Sequence, residues 1–172
     1  EDVDLIFLYV TTYALSSTVL PAVRRAGVPV IVLNLQPERS IDFAAFNRMA
    51  DRTRMTGHWL AYCAACPVPE IVNVFNRSGI EAHQVTGVLQ GDPHVDAEIE
   101  DWMEAARVAH VMAHNRLGLM GHYYNGMLDI YSDLTAQSAA FGTVVDFMEM
   151  DELASIRRAL SEAEVDKMLT RI

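Results

Sequence analysis

The sequence lacks most of the features that would place the protein in a membrane, in a disulfide-bonded scaffold or on nucleic acid. Its 172 residues are 51% hydrophobic, yet no apolar run approaches the roughly 18 residues of a membrane span. Two cysteines cannot make a disulfide framework, so we expect a reducing, cytoplasmic environment. The formal net charge of −10 disfavours nucleic acid and anionic membranes as partners.

Two common catalytic or cofactor motifs are also missing. No G-x-S-x-G segment is present, so a serine hydrolase is unsupported. No glycine fingerprint follows the first apolar run, so a dinucleotide is a poor candidate ligand. The chain begins at Glu1 without a signal peptide, and we expect it to be a fragment or a processed chain.

The start of the chain has the pattern of a strand, a helix and a second strand. Residues 5–10 and 28–33 are apolar runs typical of strands buried in a parallel sheet. Between them, Ser16 or Ser17 is a candidate cap for a helix that ends near Ala26. Such a short crossover makes the two strands parallel.

The segments that follow these two strands are polar. Residues 11–13 follow the first strand, and residues 34–37 are predicted to form a turn after the second. Because open parallel sheets bind ligands beyond the carboxyl ends of their strands, we expect a small molecule to bind at this rim.

The alternation continues along the chain. We predict helices over residues 41–49, 53–62, 69–79, 95–115, 133–140, 151–160 and 162–172, and strands over residues 83–89, 117–121 and 144–150. The pattern predicts an α/β protein with a flavodoxin-like (Rossmann-like) parallel sheet and flanking helices, followed by the start of a second α/β unit.

The charge changes sharply along the chain. Residues 1–90 hold 8 acids and 7 bases, a net charge of −1, whereas residues 91–172 hold 15 acids and 6 bases, a net charge of −9. The alternation of strands and helices also restarts after Asn115. We therefore predict an N-terminal domain over residues 1–115 and the beginning of a second domain over residues 116–172.

Two pairs of residues have spacings that occur in metal or redox sites. Cys63 and Cys66 form a C-x-x-C pair near the end of a predicted helix that Pro67 terminates. That is the end at which a reactive thiolate is disfavoured, so buried structural thiols are favoured. His110 and His114 share one helix face, but no third ligand is placed by sequence, and two polar helix positions are the simpler interpretation.

Residues 121–133 form the most suggestive segment. They follow a predicted strand and are rich in tyrosine, amide and carboxylate side chains, which suit a sugar. A tight loop with packed tyrosines is the alternative. His122, Asp129 and Asp133 are a candidate metal cluster, although Asp133 is more simply the N-cap of the next helix.

The order of the segments resembles the L-arabinose isomerase family. Each motif is short, and together they cover most of the chain: Thr12-Tyr13, residues 28–36, the spacing Asn47, Ala50, Arg54, Gly57, the strand Val85-Thr86-Gly87 with Trp102-Met103, and residues 116–142 with Met127. The sequence departs from the family at Asp51, where the family has a histidine, and at residues 124–130.

The resemblance implies an intracellular aldose–ketose isomerase acting on L-arabinose or a similar aldose. Such enzymes use a divalent metal, usually Mn²⁺, held by glutamates and histidines of later domains. We therefore expect Gln36, Asn47 and Met127 to contact substrate, and we expect no catalytic residue or metal ligand in this chain. The resemblance also implies a homo-oligomer in which this region closes a neighbouring subunit's site, and a chain that is inactive alone.

Two other functions are consistent with the same residues. One is a non-catalytic sugar-binding or sugar-sensing module with two α/β lobes, whose first strands follow the same crossover pattern. The other is an α/β domain that serves only for oligomer contacts.

Overall fold

A computed structural model describes residues 3–121 and 123–171 of the chain. Helices and strands alternate in the order β1 (Ile6–Tyr9), α1 (Ser16–Ala26), β2 (Val30–Gln36), α2 (Phe43–Arg48), α3 (Arg52–Leu60), α4 (Pro67–Arg77), β3 (Ala82–Val88), α5 (Pro93–Ala113), β4 (Arg116–Met120), α6 (Leu134–Phe141), β5 (Val144–Met148), α7 (Met150–Ala159) and α8 (Glu162–Leu169). Short 3-10 turns cover Cys63–Ala65 and Leu128–Ile130.

The chain divides into two compact units. The first extends to Arg107 and the second begins at Val108, so the division falls within α5. The predicted domains over residues 1–115 and 116–172 are segments that would each fold independently. Compactness does not test independent folding, so these domains stay a prediction. Among the described residues, no helix combines the length and the apolar character that a bilayer crossing requires.

The first unit contains a parallel sheet of three strands in the order β1-β2-β3. Ile6 pairs with Val30, and Val30 pairs with Ala82, so β2 is the central strand. This confirms the α/β class with a parallel sheet. In flavodoxin-like sheets the first strand lies between the second and the third, whereas in the described sheet β2 lies between β1 and β3.

Apolar side chains cover both faces of this sheet. One face packs against α1 and α4 through a core that includes Val23, Val32, Ile71 and Phe75. On the other face Ile31, Leu35 and Val85 pack against Val95 of α5. Burial on both faces explains why β2 reads as a continuous apolar run rather than an alternating one.

The second unit contains a parallel pair of strands, β4 and β5. Arg116 at the start of β4 forms a bidentate ion pair with Asp146 of β5, with N–O distances of 2.9 and 2.7 Å. No side chain is buried among the described residues of the second unit. The start of a second α/β unit is thus confirmed, as a small open sheet with helices.

Capping interactions define the ends of several helices, and one of them confirms the predicted N-cap at Asp133. Helix α1 ends at Gly27, whose φ of 67° is left-handed. Asp133 caps α6 by accepting a hydrogen bond from the Ala136 N–H. Ser161 and Glu164 form a reciprocal capping box at α8.

Two local predictions, one at the start of α1 and one at the end of β2, are wrong. Leu15 occupies the N-cap of α1 without a side-chain cap bond, and the Ser16 hydroxyl instead donates to Glu70 of α4. Residues 34–36 are not a turn, because β2 continues to Gln36 and pairs there with Val88. The longer partner strand β3 supplies the hydrogen bonds that extend β2 beyond its apolar run.

Candidate functional site

A cavity of about 450 Å³ opens where β2 ends in the first unit. Polar side chains reach it from the end of β2 and the loop that follows, namely Gln36, Glu38 and Arg39. Aromatic side chains reach it from α2, α3 and the turn after α3, namely Phe43, Trp59 and Tyr62. The location agrees with the rule that open parallel sheets bind ligands beyond the carboxyl ends of their strands.

Gln36 is the residue of this cavity with an unmet hydrogen-bonding capacity. Its Nε2 donates to Asn34 Oδ1 at 3.1 Å, and Asn34 Nδ2 in turn donates to Thr86 Oγ1 at 3.5 Å. These two hydrogen bonds fix the orientation of the Gln36 amide. Among the described residues, Gln36 Oε1 is the one buried side-chain polar atom that accepts no hydrogen bond. An unpaired buried acceptor costs about 1–3 kcal/mol, which a donor from a ligand would recover.

The aromatic wall of the cavity is held by ring contacts along α3. Phe46 lies 6.5 Å from Trp59 and 5.8 Å from His58, measured between ring centroids. His58 also makes an edge contact with Tyr62 at 5.6 Å. Burial, and then the nearby Glu38 carboxylate, raise the pKa of Tyr62, so its hydroxyl remains a hydrogen-bond donor at neutral pH.

Asp92 anchors the loop beyond the neighbouring strand β3. Its Oδ2 accepts a hydrogen bond from the Val88 N–H at 3.1 Å, and its Oδ1 accepts one from the His94 N–H at 3.3 Å. The bond from Val88 is the largest cause that lowers the pKa of Asp92, with smaller contributions from His94 and from the Arg39 charge, while burial acts in the opposite direction. The carboxylate therefore ties the end of β3 to the start of α5.

The three predicted sugar-contacting residues have different positions. Gln36 lines the cavity. Asn47 is exposed on α2 and is not among the residues of the cavity wall. Met127, 45% exposed, belongs to the second unit. Contact of these residues with a sugar stays a prediction.

The predicted segment 121–133 forms part of a cavity of about 290 Å³ in the second unit. Tyr123, Asn125 and Tyr131 line it, together with Phe147 of β5. The rings of Tyr123 and Tyr131 lie 5.2 Å apart, as expected for packed tyrosines in a tight loop. His122, which was considered with Asp129 and Asp133 as a metal cluster, lies outside the described residues.

The histidine pair is not joined by a third metal-ligating side chain among the described residues. His110 and His114 stack with ring centroids 4.3 Å apart, and the His114 ring nitrogen Nδ1 lies 2.8 Å from the His110 carbonyl oxygen. Within residues 3–121 and 123–171, no three His, Cys, Asp or Glu side chains are grouped to hold an ion. The described residues therefore do not fit the manganese that the family resemblance implies.

The structure corrects the interpretation of the two cysteines. Pro67 does not terminate a helix but is the first residue of α4, and Cys66 is the N-cap of that helix. Cys63 lies one 3-10 turn earlier. The sequence pattern was misread because proline is compatible with the first helical turn as well as with a helix stop.

Sequence reasoning missed the aromatic wall of the cavity. Trp59 and Tyr62 are three residues apart, a spacing that places two side chains on one helical face. That spacing could have indicated an aromatic surface. The contribution of Phe43 from a different helix had no comparable signal.

These features define an α/β protein with parallel sheets and a polar-aromatic cavity at the end of its central strand. Over 99 residues the chain is 28% identical to an L-arabinose isomerase from Nocardioides sp.. The match covers 58% of this chain and 20% of the length of that isomerase. No established family model matches the chain. The sequence is thus similar to an L-arabinose isomerase over part of its length.

Proposed function

We propose that this chain is the sugar-contacting part of an aldose–ketose isomerase that acts on L-arabinose or a similar aldose. The partial similarity to an L-arabinose isomerase supports the reaction class. The observation that carries the proposal is the cavity at the end of β2, where the Gln36 amide is oriented and its Oε1 lacks a donor.

The chemistry of the cavity suits a sugar. A pyranose or open-chain aldose presents hydroxyl groups, which donate to amide and carboxylate oxygens such as those of Gln36 and Glu38. It also presents C–H faces, which pack on aromatic rings such as Trp59. The Tyr62 hydroxyl adds a donor beside them, and Arg39 adds a cation.

In this proposal the catalytic metal is held by residues outside this chain. Mn²⁺ would polarise the substrate oxygens of an isomerase, but the described residues do not fit it and no reaction step is assigned to them. The proposal includes a cytoplasmic homo-oligomer in which this chain supplies substrate contacts and assembly surface. It includes neither nucleic acid nor a membrane as partner.

Sugar binding can be tested with the chain itself. The chain has two tryptophans, and Trp102→Phe leaves Trp59 of the cavity as the fluorescent reporter. We expect L-arabinose to change this fluorescence saturably. Gln36→Ala should raise the Kd about 2- to 12-fold, because one hydrogen bond contributes about 0.5–1.5 kcal/mol. Asn47→Ala and Met127→Ala test the two other predicted contacts in the same titration.

The matched control is Gln90→Ala, which removes an exposed glutamine outside the cavity wall. Its Kd should equal that of the parent. An absence of saturable change with any aldose in a panel, or equal affinities of Gln36→Ala and the parent, would contradict the proposed site.

The reaction class is tested separately on the complete gene product, with aldoses supplied in the presence and absence of Mn²⁺. Metal-dependent formation of a ketose supports the isomerase. Sugar binding by the folded, metal-loaded protein without turnover would instead identify a sugar-binding module.

A further inference from the structure

The two cysteines lie side by side in the wall of the first-unit cavity. The Cys66 N–H donates to the Cys63 carbonyl oxygen at 3.0 Å, which closes a tight turn between the two residues. Cys63 begins the 3-10 turn and Cys66 follows it as the N-cap of α4, so the turn brings the two residues close together in the chain. Both side chains line the cavity, so they share one solvent-connected space.

The two thiols differ in exposure. Cys66 is exposed, whereas Cys63 is buried. Burial, and then the hydrogen bond with Cys66, raise the pKa of the Cys63 thiol, which therefore stays protonated at neutral pH. Cys66 immediately precedes α4, an 11-residue helix, at the end where the helix dipole stabilises negative charge. The exposed thiol is thus the one that an external reagent can reach.

We propose that Cys63 and Cys66 form a reversible dithiol–disulfide pair that reacts with low-molecular-weight disulfides and changes the wall of the cavity. This inference does not rest on the proposed function, because it concerns the thiols of the chain whatever ligand the cavity takes.

The reaction has two exchange steps. The Cys66 sulfur, as thiolate, attacks one sulfur of the external disulfide, forms a mixed disulfide and releases one thiolate. Cys63 then loses its proton to the medium and attacks the Cys66 sulfur, which breaks the mixed disulfide and releases the second thiolate. The protein dithiol is oxidised by two electrons, and the external disulfide is reduced to two thiols.

The position of the pair links this reaction to the cavity. Cys63 directly follows Tyr62, and Cys66 directly precedes the buried Pro67. A bond between the two sulfurs replaces the free thiols in the wall that Trp59 and Tyr62 also line. The fluorescence of Trp59 should therefore change when the disulfide forms.

The test is incubation of the reduced, folded chain with glutathione disulfide, followed by thiol counting and intact mass spectrometry. We expect both free thiols to disappear with a mass loss of two hydrogen atoms, and dithiothreitol to restore them. The disulfide should form within one chain, so the measured mass should remain that of a single chain. A stable glutathione adduct on the parent chain, two unreacted thiols, or disulfide-linked dimers would each overturn the proposal.

Two variants separate the roles of the thiols. Cys63→Ser should stop at a mixed disulfide on Cys66 that carries one glutathione. Cys66→Ser should leave the buried Cys63 thiol at least 10-fold less reactive than the parent pair. Because Cys63 is buried, Cys63→Ala serves as a second variant if the serine destabilises the fold, and equal behaviour of both cysteines would contradict the assigned order.

Discussion

At the scale of single residues, side chains that contact the ends of strands determine the geometry of the candidate site. Gln36 ends β2, and its amide is oriented through Asn34 by Thr86 of β3. Asp92 likewise fixes the end of β3, because its carboxylate accepts a hydrogen bond from the Val88 N–H. Neither role follows from residue type alone, because both depend on which strand lies next to β2.

The lowered pKa of Asp92 predicts a pH dependence of stability. A carboxyl group whose pKa is lower in the folded than in the unfolded chain stabilises the fold fully above its unfolded pKa, about 3.9. That contribution is lost as the pH falls through the lower folded value. Asp92→Asn should therefore reduce the urea midpoint at pH 7 and flatten its fall below about pH 4.

The control for this prediction is Asp101→Asn, which neutralises an exposed carboxylate on α5, the helix that follows Asp92. Urea unfolding of the three proteins at several pH values between 7 and 3 makes the comparison. Parallel pH profiles for Asp92→Asn and the parent chain would refute the role of the Asp92 carboxylate.

At the scale of elements, β3 and α5 pack so closely that one position requires glycine. A Cβ atom at Gly87 would collide with a methyl group of Val95 and would lie 2.8 Å from Asp92 Oδ2. Val95 is buried in the core between the sheet and α5. The Val85-Thr86-Gly87 motif thus has a packing reason in this fold.

We expect Gly87→Ala to destabilise the chain by about 1–3 kcal/mol, because an added methyl in a filled space forces neighbouring atoms apart. Gly57→Ala is the matched control, since a Cβ there meets no atom within 4 Å and the residue lies inside α3. That control should be neutral or stabilising by about 0.5–1 kcal/mol. Equal unfolding midpoints for the two variants would show that the β3–α5 contact tolerates the methyl.

At the scale of the whole molecule, the two units differ in how much side-chain surface they bury. The first contains two core clusters, one on each face of its sheet. In the second, the described side chains are all at least partly accessible, and several large apolar ones are exposed, including Tyr124, Leu128 and Phe147. Local stability follows buried apolar contacts, so the units should open with different free energies.

Hydrogen exchange measures this difference. Amides of β2, which is paired on both sides and covered by helices, should exchange at least 10-fold more slowly than those of β4 and β5. Mass spectrometry of peptides from the two sheets provides the rates. Equal protection of both sheets would contradict the prediction.

Features determined by neighbouring residues were predictable from the sequence. The strand–helix alternation, the stop of α1 at Gly27 and the capping box of Ser161 and Glu164 depend on residues within a few positions of one another. The apolar run of β2 predicted a strand buried on both faces, and the parallel pairing followed from the short crossover. These features are local, so one sequence contains enough information for them.

Only the tertiary structure decided the site. Gln36 belongs to a strand because it pairs with Val88 of β3, more than fifty residues later in the sequence. The cavity brings Gln36 together with Trp59 and Tyr62, which come from another segment. Cys66 precedes the first residue of α4, where Pro67 and Val68 are buried in the core. Packing between distant segments sets these positions, and no local pattern contains that information.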